Sequence, residues 1–145
     1  DMAYIEDYLD IQKCRCGERL RYEIDIADDC YPCMIPKLVL QPIIENSIKY
    51  GFQKKEQIHI QITGRKNGSL LCLSVKDDGL GMPQAEAKRL LGSLHSPHPG
   101  AEHIGLHNIA RRLFLQYGSD SGLELDNEEG AGLEVIVKIR QKEEN

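Results

Sequence analysis

No stretch of about 18 apolar residues in succession occurs in this chain, so no segment is expected to cross a membrane as a helix. Positive charge is also scarce: 18 Lys and Arg face 23 Asp and Glu, for a net charge of −5. A nucleic-acid surface wants a basic stripe and is therefore disfavoured. A polyphosphate ligand would need local help from a metal ion, a helix N-terminus or a few placed cations. The first residues carry neither the basic nor the apolar region of a signal peptide, and a start at Asp1 is expected of a piece of a longer protein.

Several signatures are missing. GxxxxGK[ST] is nowhere, which excludes a P-loop NTPase. The VAIK, HRD and DFG set of eukaryotic-type kinases is absent. Gly79-Leu80-Gly81 continues to Gln84 where a dinucleotide fingerprint wants glycine, which argues against a nicotinamide dehydrogenase. Cysteines number five (Cys14, Cys16, Cys30, Cys33 and Cys72). An odd count without a secretion signal favours reduced thiols. Cys14-x-Cys16 and Cys30-x-x-Cys33 imitate a four-thiolate zinc site, but the first pair is tight and neither lies in a zinc ribbon turn, so isolated thiols are expected.

What is present suits one domain: 145 residues, 41% hydrophobic and 28% charged, long enough to bury roughly 68–70% of the unfolded surface. The periodicity predicts a helix over 2–16, a strand over 20–26 and a loop over 28–36. A second helix is expected over 36–50, with Pro42 bending it near Leu38. Strands follow over 58–62 and 70–76, joined at Asn67-Gly68, then a short helix opened by Pro83 and running to about Leu91. Residues 92–103 read as a mobile loop. A helix over 104–117, closed by Gly118, precedes strands over 122–126 and 133–139 joined by the turn Asn127–Gly130. About five strands with interleaved helices predict an α/β two-layer sandwich, a mixed sheet with helices on one face.

Four clusters carry chemistry. In Leu40–Gly51 (LQPIIENSIKYG), helical spacing puts Asn46 on a face with Lys49 and Tyr50. A side-chain amide oxygen suits Mg²⁺ and Lys49 suits phosphate as a point charge; the plain alternative is an ordinary polar surface. Asp77-Asp78-Gly79-Leu80-Gly81-Met82 follows a strand. A carboxylate there accepts a hydrogen bond from an exocyclic amine, and glycines allow close ligand approach; the alternative is an Asp-Gly turn. Gly105 lies at a loop-to-helix junction, where free amides and the positive dipole end favour phosphate; a simple helix start is the other option. Gly130-Ala131-Gly132 alone is a hairpin turn.

Taken together, in this order and spacing, these motifs resemble the GHKL-type ATP-binding fold of gyrase-like, heat-shock-chaperone and histidine-kinase proteins. LQPIIENSIKYG, preceded by YLDIQKCRCGERL and followed by IGLHNIARRL, resembles LytS-like sensor histidine kinases over nearly the whole chain. The resemblance implies ATP and Mg²⁺ as cofactors. It implies Asn46 as Mg²⁺ ligand, Glu45 near the metal and its waters, and Asp77 on the adenine amine, with Gly79, Gly81 and Met82 shaping the pocket. Lys49 and Tyr50 would border the nucleotide. Ile104, Gly105, Leu106 and Asn108 would lie by the phosphates at the hinge of an ATP lid. Departures are His103 and Ala101 where glycines are frequent, Asp78 for a frequent Asn, and Leu133 for a frequent Thr.

Gyrase-type and chaperone-type members keep a glutamate general base one helical turn before the metal-binding Asn. Pro42 stands there and cannot activate water, so the resemblance implies a kinase rather than a dedicated ATPase. Residues 1–17 would be the end of a preceding linker or dimerisation region and 18–145 the ATP-binding catalytic domain. The phosphoacceptor would lie on upstream helices, since His59 is expected mid-strand and His95, His98, His103 and His107 are expected as solvated loop residues. Implied partners are those helices, a response regulator and a second copy in a homodimer, in a cytoplasmic part of a membrane-anchored bacterial sensor. A nucleotide-binding regulatory module without kinase activity is the alternative.

Overall fold

The computed structural model describes residues 2–30, 39–51, 57–79, 81–94, 104–128 and 131–141. Leu20, Tyr22, Ile24 and Ile26 alternate with charged residues and form β1 (Leu20–Ile26). It pairs in parallel with β2 (Ile58–Asn67), Leu20 opposite Ile58. A parallel pair needs a crossover, and α2 (Leu40–Gly51) lies in the intervening chain. β3 (Leu70–Asp77) returns antiparallel through Asn67-Gly68, where Gly68 takes the left-handed φ of 62° that the tight turn requires. β5 (Gly132–Arg140) adds to β3, and β4 (Gly122–Glu128) closes the far edge, giving the order β1-β2-β3-β5-β4.

Side chains alternate across a strand, so one face of this sheet is apolar. Ile58, Ile60, Ile62, Leu71, Leu73, Val75, Val135, Val137 and Ile139 are all buried there. The helices cover that face: α1 (Met2–Cys16) with Ile5 and Leu9, α2 with Ile43 and Ile44, α3 (Gln84–Leu94) with Leu90 and Leu94, and α4 (Ile104–Tyr117) with Leu106, Ile109 and Leu113. The opposite face carries polar pairs: Ser74 Oγ to Glu134 at 2.6 Å, Lys138 Nζ to Glu124 at 2.6 Å, and His59 Nε2 to Glu23 at 3.4 Å. This is the expected two-layer sandwich.

α1 is tied to the sheet at its C-terminal half. Lys13 Nζ donates to the Leu20 carbonyl at 2.8 Å, and the Tyr22 hydroxyl donates to Asp10. That bond, with burial and the negative charges of Asp10 and Glu6, pushes the Tyr22 phenol up to about 12.

Several expectations need correction. α2 begins at Leu40, so Pro42 sits in its first turn. Amides there lack intrahelical partners anyway, and the proline removes no bond and forces no bend; Pro36 and Leu38 lie outside the described residues. α3 extends to Leu94 because Leu90 and Leu94, one turn apart, both bury. Residues 92–94 are therefore helix, and 95–103 of the expected loop lie outside the described residues. His107 is not a solvated loop residue. It lies on α4 and is buried, sharing the inward face with Leu106, Ala110 and Leu113. Asn127 belongs to β4 opposite Leu133 rather than to a connecting turn.

Candidate functional site

Asp77 is the last residue of β3 and is only 5% exposed. Its neighbours on the apolar face, Val75 and Leu73, are buried too, so the strand delivers a carboxylate to the end of a dry layer. Burial pushes its pKa above the ordinary carboxylate value, and the nearby Asp78 charge acts in the same direction. Three donors oppose that shift: the Gly79 amide at 2.9 Å, the Leu133 amide and the Ser47 hydroxyl. They come from the turn after β3, from β5 and from α2, so three separate parts of the fold converge on one side chain.

Close backbone approach surrounds it. A Cβ at Gly132 would stand 2.1 Å from the Asp77 carbonyl oxygen, and φ there is 131°. At Gly81, with φ 67°, a Cβ would meet the Glu128 carbonyl at 2.6 Å and the Gly132 carbonyl at 2.9 Å. Only glycine is accommodated at either position. The turn between β3 and α3 is gripped from β4: Asn127 Oδ1 accepts the Met82 amide at 2.8 Å, and Asn127 Nδ2 donates to the Met82 carbonyl at 2.9 Å. Asp78 is turned away from this cluster; its carboxylate accepts the His59 amide at 2.7 Å.

The structure brings two of the sequence clusters together. Ser47, bonded to Asp77, follows Asn46 on α2, so Asn46, half-buried, and Glu45, exposed, lie on the helix that caps the Asp77–Met82 turn. Gln41 Nε2 donates to Glu45 at 3.1 Å along the same helix. Lys49 is exposed in its last turn; the side chain of Tyr50 is outside the described residues. The Met82 side chain enters the core, as does that of Leu106, so either contributes to a ligand site chiefly through its backbone. Gly105 and Asn108 are exposed in the first turns of α4, which packs beside α2. The Ile104 side chain and Gly130 fall outside the described residues. Ser47 and Asn127 were not among the sequence candidates. Ser47 was signalled only by its place beside Asn46, and Asn127 by nothing in its own segment.

A cleft of about 550 Å³ lies elsewhere, at the β1 end of the sheet, lined by Lys13, Arg21, Glu23, His59 and Asp78 among others. Its charges are of both signs, and of the sequence clusters only Asp78, the residue turned away from Asp77, lines it.

Comparison with known proteins bears on the family and the fold. Residues 35–143 match the family described as histidine kinase-, DNA gyrase B-, and HSP90-like ATPase. The chain is 35% identical over 136 residues to the sensor histidine kinase YesM of Bacillus subtilis, covering 93% of this chain and 22% of that protein. It is 30% identical over 141 residues to the sensor protein kinase HptS of Staphylococcus aureus, covering 96% of this chain and 27% of that protein. The chain thus spans about a quarter of the length of these relatives. Among solved structures, the catalytic domain of histidine kinase ThkA superposes with a TM-score of 0.66 at 20% identity, over 96% of this chain and 91% of that one. ThkA in complex with the response regulator protein TrrA gives 0.65 at 16% identity, over 97% of this chain and 39% of that one. These two share the fold. With this match over most of its length and the five-stranded sheet that carries it, the chain belongs to the histidine kinase-, DNA gyrase B- and HSP90-like ATPase family.

Proposed function

We propose that this chain is the ATP-binding catalytic domain of a two-component sensor histidine kinase and donates the ATP γ-phosphoryl group to a histidine on helices outside residues 1–145. The observation that carries the reading is Asp77: a buried carboxylate at a strand end, held by three donors. A carboxylate offers about four acceptor sites, so three bonds leave capacity for one more. Adenine presents a donor amine where guanine presents a carbonyl acceptor, so the group selects adenine. Gly81 and Gly132 keep side chains out of the floor beside it.

Asn46 and Glu45 fit a magnesium ion, an oxygen-ligand cation that keeps several waters; when bound, it would neutralise charge building on the transferring phosphoryl group. Asn46 would hold the ion directly and Glu45 its waters. Lys49 and the α4 N-terminus at Gly105 would offset the remaining phosphate charge in a chain of net charge −5. Pro42 supplies no base to activate water, so transfer is favoured over hydrolysis. The bond from the γ-phosphorus to the ADP oxygen breaks as one to an imidazole nitrogen forms.

We read residues 1–17 as the end of the preceding region; within it α1 (Met2–Cys16) packs through Ile5 and Leu9 onto the domain that follows. The relatives' names support a sensor kinase setting with a response regulator, and the resemblance adds a homodimer and a cytoplasmic catalytic part of a membrane-anchored sensor. The test mixes this chain with Mg-ATP and a separately prepared acceptor-helix segment of YesM. Acid-labile, base-stable phosphate on that segment is expected. Nucleotide binding without any transfer would favour a regulatory module instead.

A further inference from the structure

Asn127, Leu133 and Asp77 lie in one row across three strands. Asn127 is opposite Leu133 in the β4–β5 ladder. Leu133 follows on from the Lys76–Glu134 pair of the β3–β5 ladder and donates its amide to the Asp77 carboxylate. At the outer end of the row, Asn127 bonds both polar groups of the Met82 backbone, at 2.8 and 2.9 Å. Its carboxamide thereby does for Met82 what a neighbouring strand does for an extended residue: it satisfies an amide and a carbonyl at once.

The grip meets the turn where the turn has least freedom to move. Gly81 is packed so closely that a Cβ would meet the Glu128 carbonyl at 2.6 Å and Asn127 Oδ1 at 3.0 Å. Gly79, at the other end, donates to Asp77 at 2.9 Å. The turn is thus pinned at its start by the carboxylate that follows from β3 and at its end by a side chain of β4.

From this arrangement we propose that Asn127 is a positioning residue of the nucleotide site, fixing the Gly81–Met82 backbone at the distance from Asp77 that an adenine ring requires. The proposal rests on the ATP-binding reading above. It assigns the grip to the carboxamide and not to the size of the side chain. Asp is isosteric with Asn and keeps the acceptor for the Met82 amide, but it has no donor for the Met82 carbonyl and sets a negative charge against it.

The test uses the 145-residue chain with Asn127→Asp and Asn127→Ala, titrated calorimetrically with Mg-ATP, alongside amide exchange of Met82 in the nucleotide-free proteins. Both variants are expected to bind Mg-ATP about tenfold more weakly, as the loss of one or two hydrogen bonds implies, with faster exchange at Met82 in Asn127→Ala, which alone loses the acceptor for that amide. Asn127→Asp keeps the volume, so it serves if Asn127→Ala does not fold. Parent-like affinity in a folded Asn127→Asp protein would overturn the proposal, because size alone would then suffice. Met82 exchange unchanged in a folded Asn127→Ala protein would overturn it as well. A parent chain that fails to bind Mg-ATP would instead strike the ATP-binding reading and the proposal with it.

Discussion

The Ser47 hydroxyl on α2 donates a hydrogen bond to the Asp77 carboxylate at the end of β3, joining the helix layer to the sheet at a side chain that is almost wholly buried. Burial favours the protonated acid, while the Ser47, Gly79 and Leu133 donors favour the ionised form. Burial prevails, so the pKa of Asp77 is raised. An adenine amine needs an ionised acceptor. Adenosine affinity should therefore fall as pH drops through this raised pKa. Ser47→Ala removes one donor to the ionised form and should move that fall to higher pH. In the nucleotide-free protein the sign is the reverse. The contribution of Asp77 to stability is full below its unfolded pKa and is lost as pH rises through the folded one. Affinity profiles of parent and Ser47→Ala that coincide across this range would remove Ser47 from the account.

Asp77→Asn tests base selection. The amide keeps the size of the carboxylate but can present a donor. A hydrogen bond to a charged group is worth about 1.5–3 kcal/mol, roughly tenfold to a hundredfold in affinity. ATP binding should weaken by about that factor and the preference over GTP should narrow. If Asp77 only closes a turn, thermal stability will fall while the ATP-to-GTP ratio stays at the parent value.

Asn46→Ala separates metal from base. The side chain is half-buried on the helix that carries Ser47. Loss of a metal-binding group should weaken Mg-ATP at least about tenfold and leave adenosine nearly unaffected. Equal loss of both ligands would indicate a damaged helix instead.

At the other end of the sheet, Tyr22 makes a prediction about stability alone. Its bond to Asp10 raises the phenol from 10.0 to about 12. A raised pKa contributes stability that is complete below the unfolded value and disappears as pH rises through the folded one. Thermal stability should decline between about pH 10 and pH 12, and Tyr22→Phe should lack that part of the decline. Identical alkaline profiles would show that the α1–β1 bond contributes nothing.

Much of the fold was legible because apolar period and secondary structure coincide. β1 and β5 alternate cleanly, and α4 runs from Ile104 to Tyr117 as its spacing predicts. α3 outran its signal because Gly92, which disfavours helix by about 1 kcal/mol, precedes a Leu94 whose burial decides the matter. Within the candidate site, Asp77 and the glycines announce themselves through local chemistry. Asn127 does not, since its partner Met82 lies 45 residues away and the bond exists only once β4 and β5 have paired. Ser47 is hidden for a similar reason: its partner is on another element. His107 sits on the apolar stripe of α4, a placement the helical spacing already contained but which its neighbours in a loop-like, histidine-rich segment obscured.

Calorimetric titration of the chain with ATP, with and without Mg²⁺, tests the central claim most directly. Saturable binding that is tighter when Mg²⁺ is present is expected, because Asp77 selects the base while Asn46 acts only through the metal. Absence of binding in a folded chain would contradict the adenine pocket, and binding indifferent to Mg²⁺ would contradict the role of Asn46.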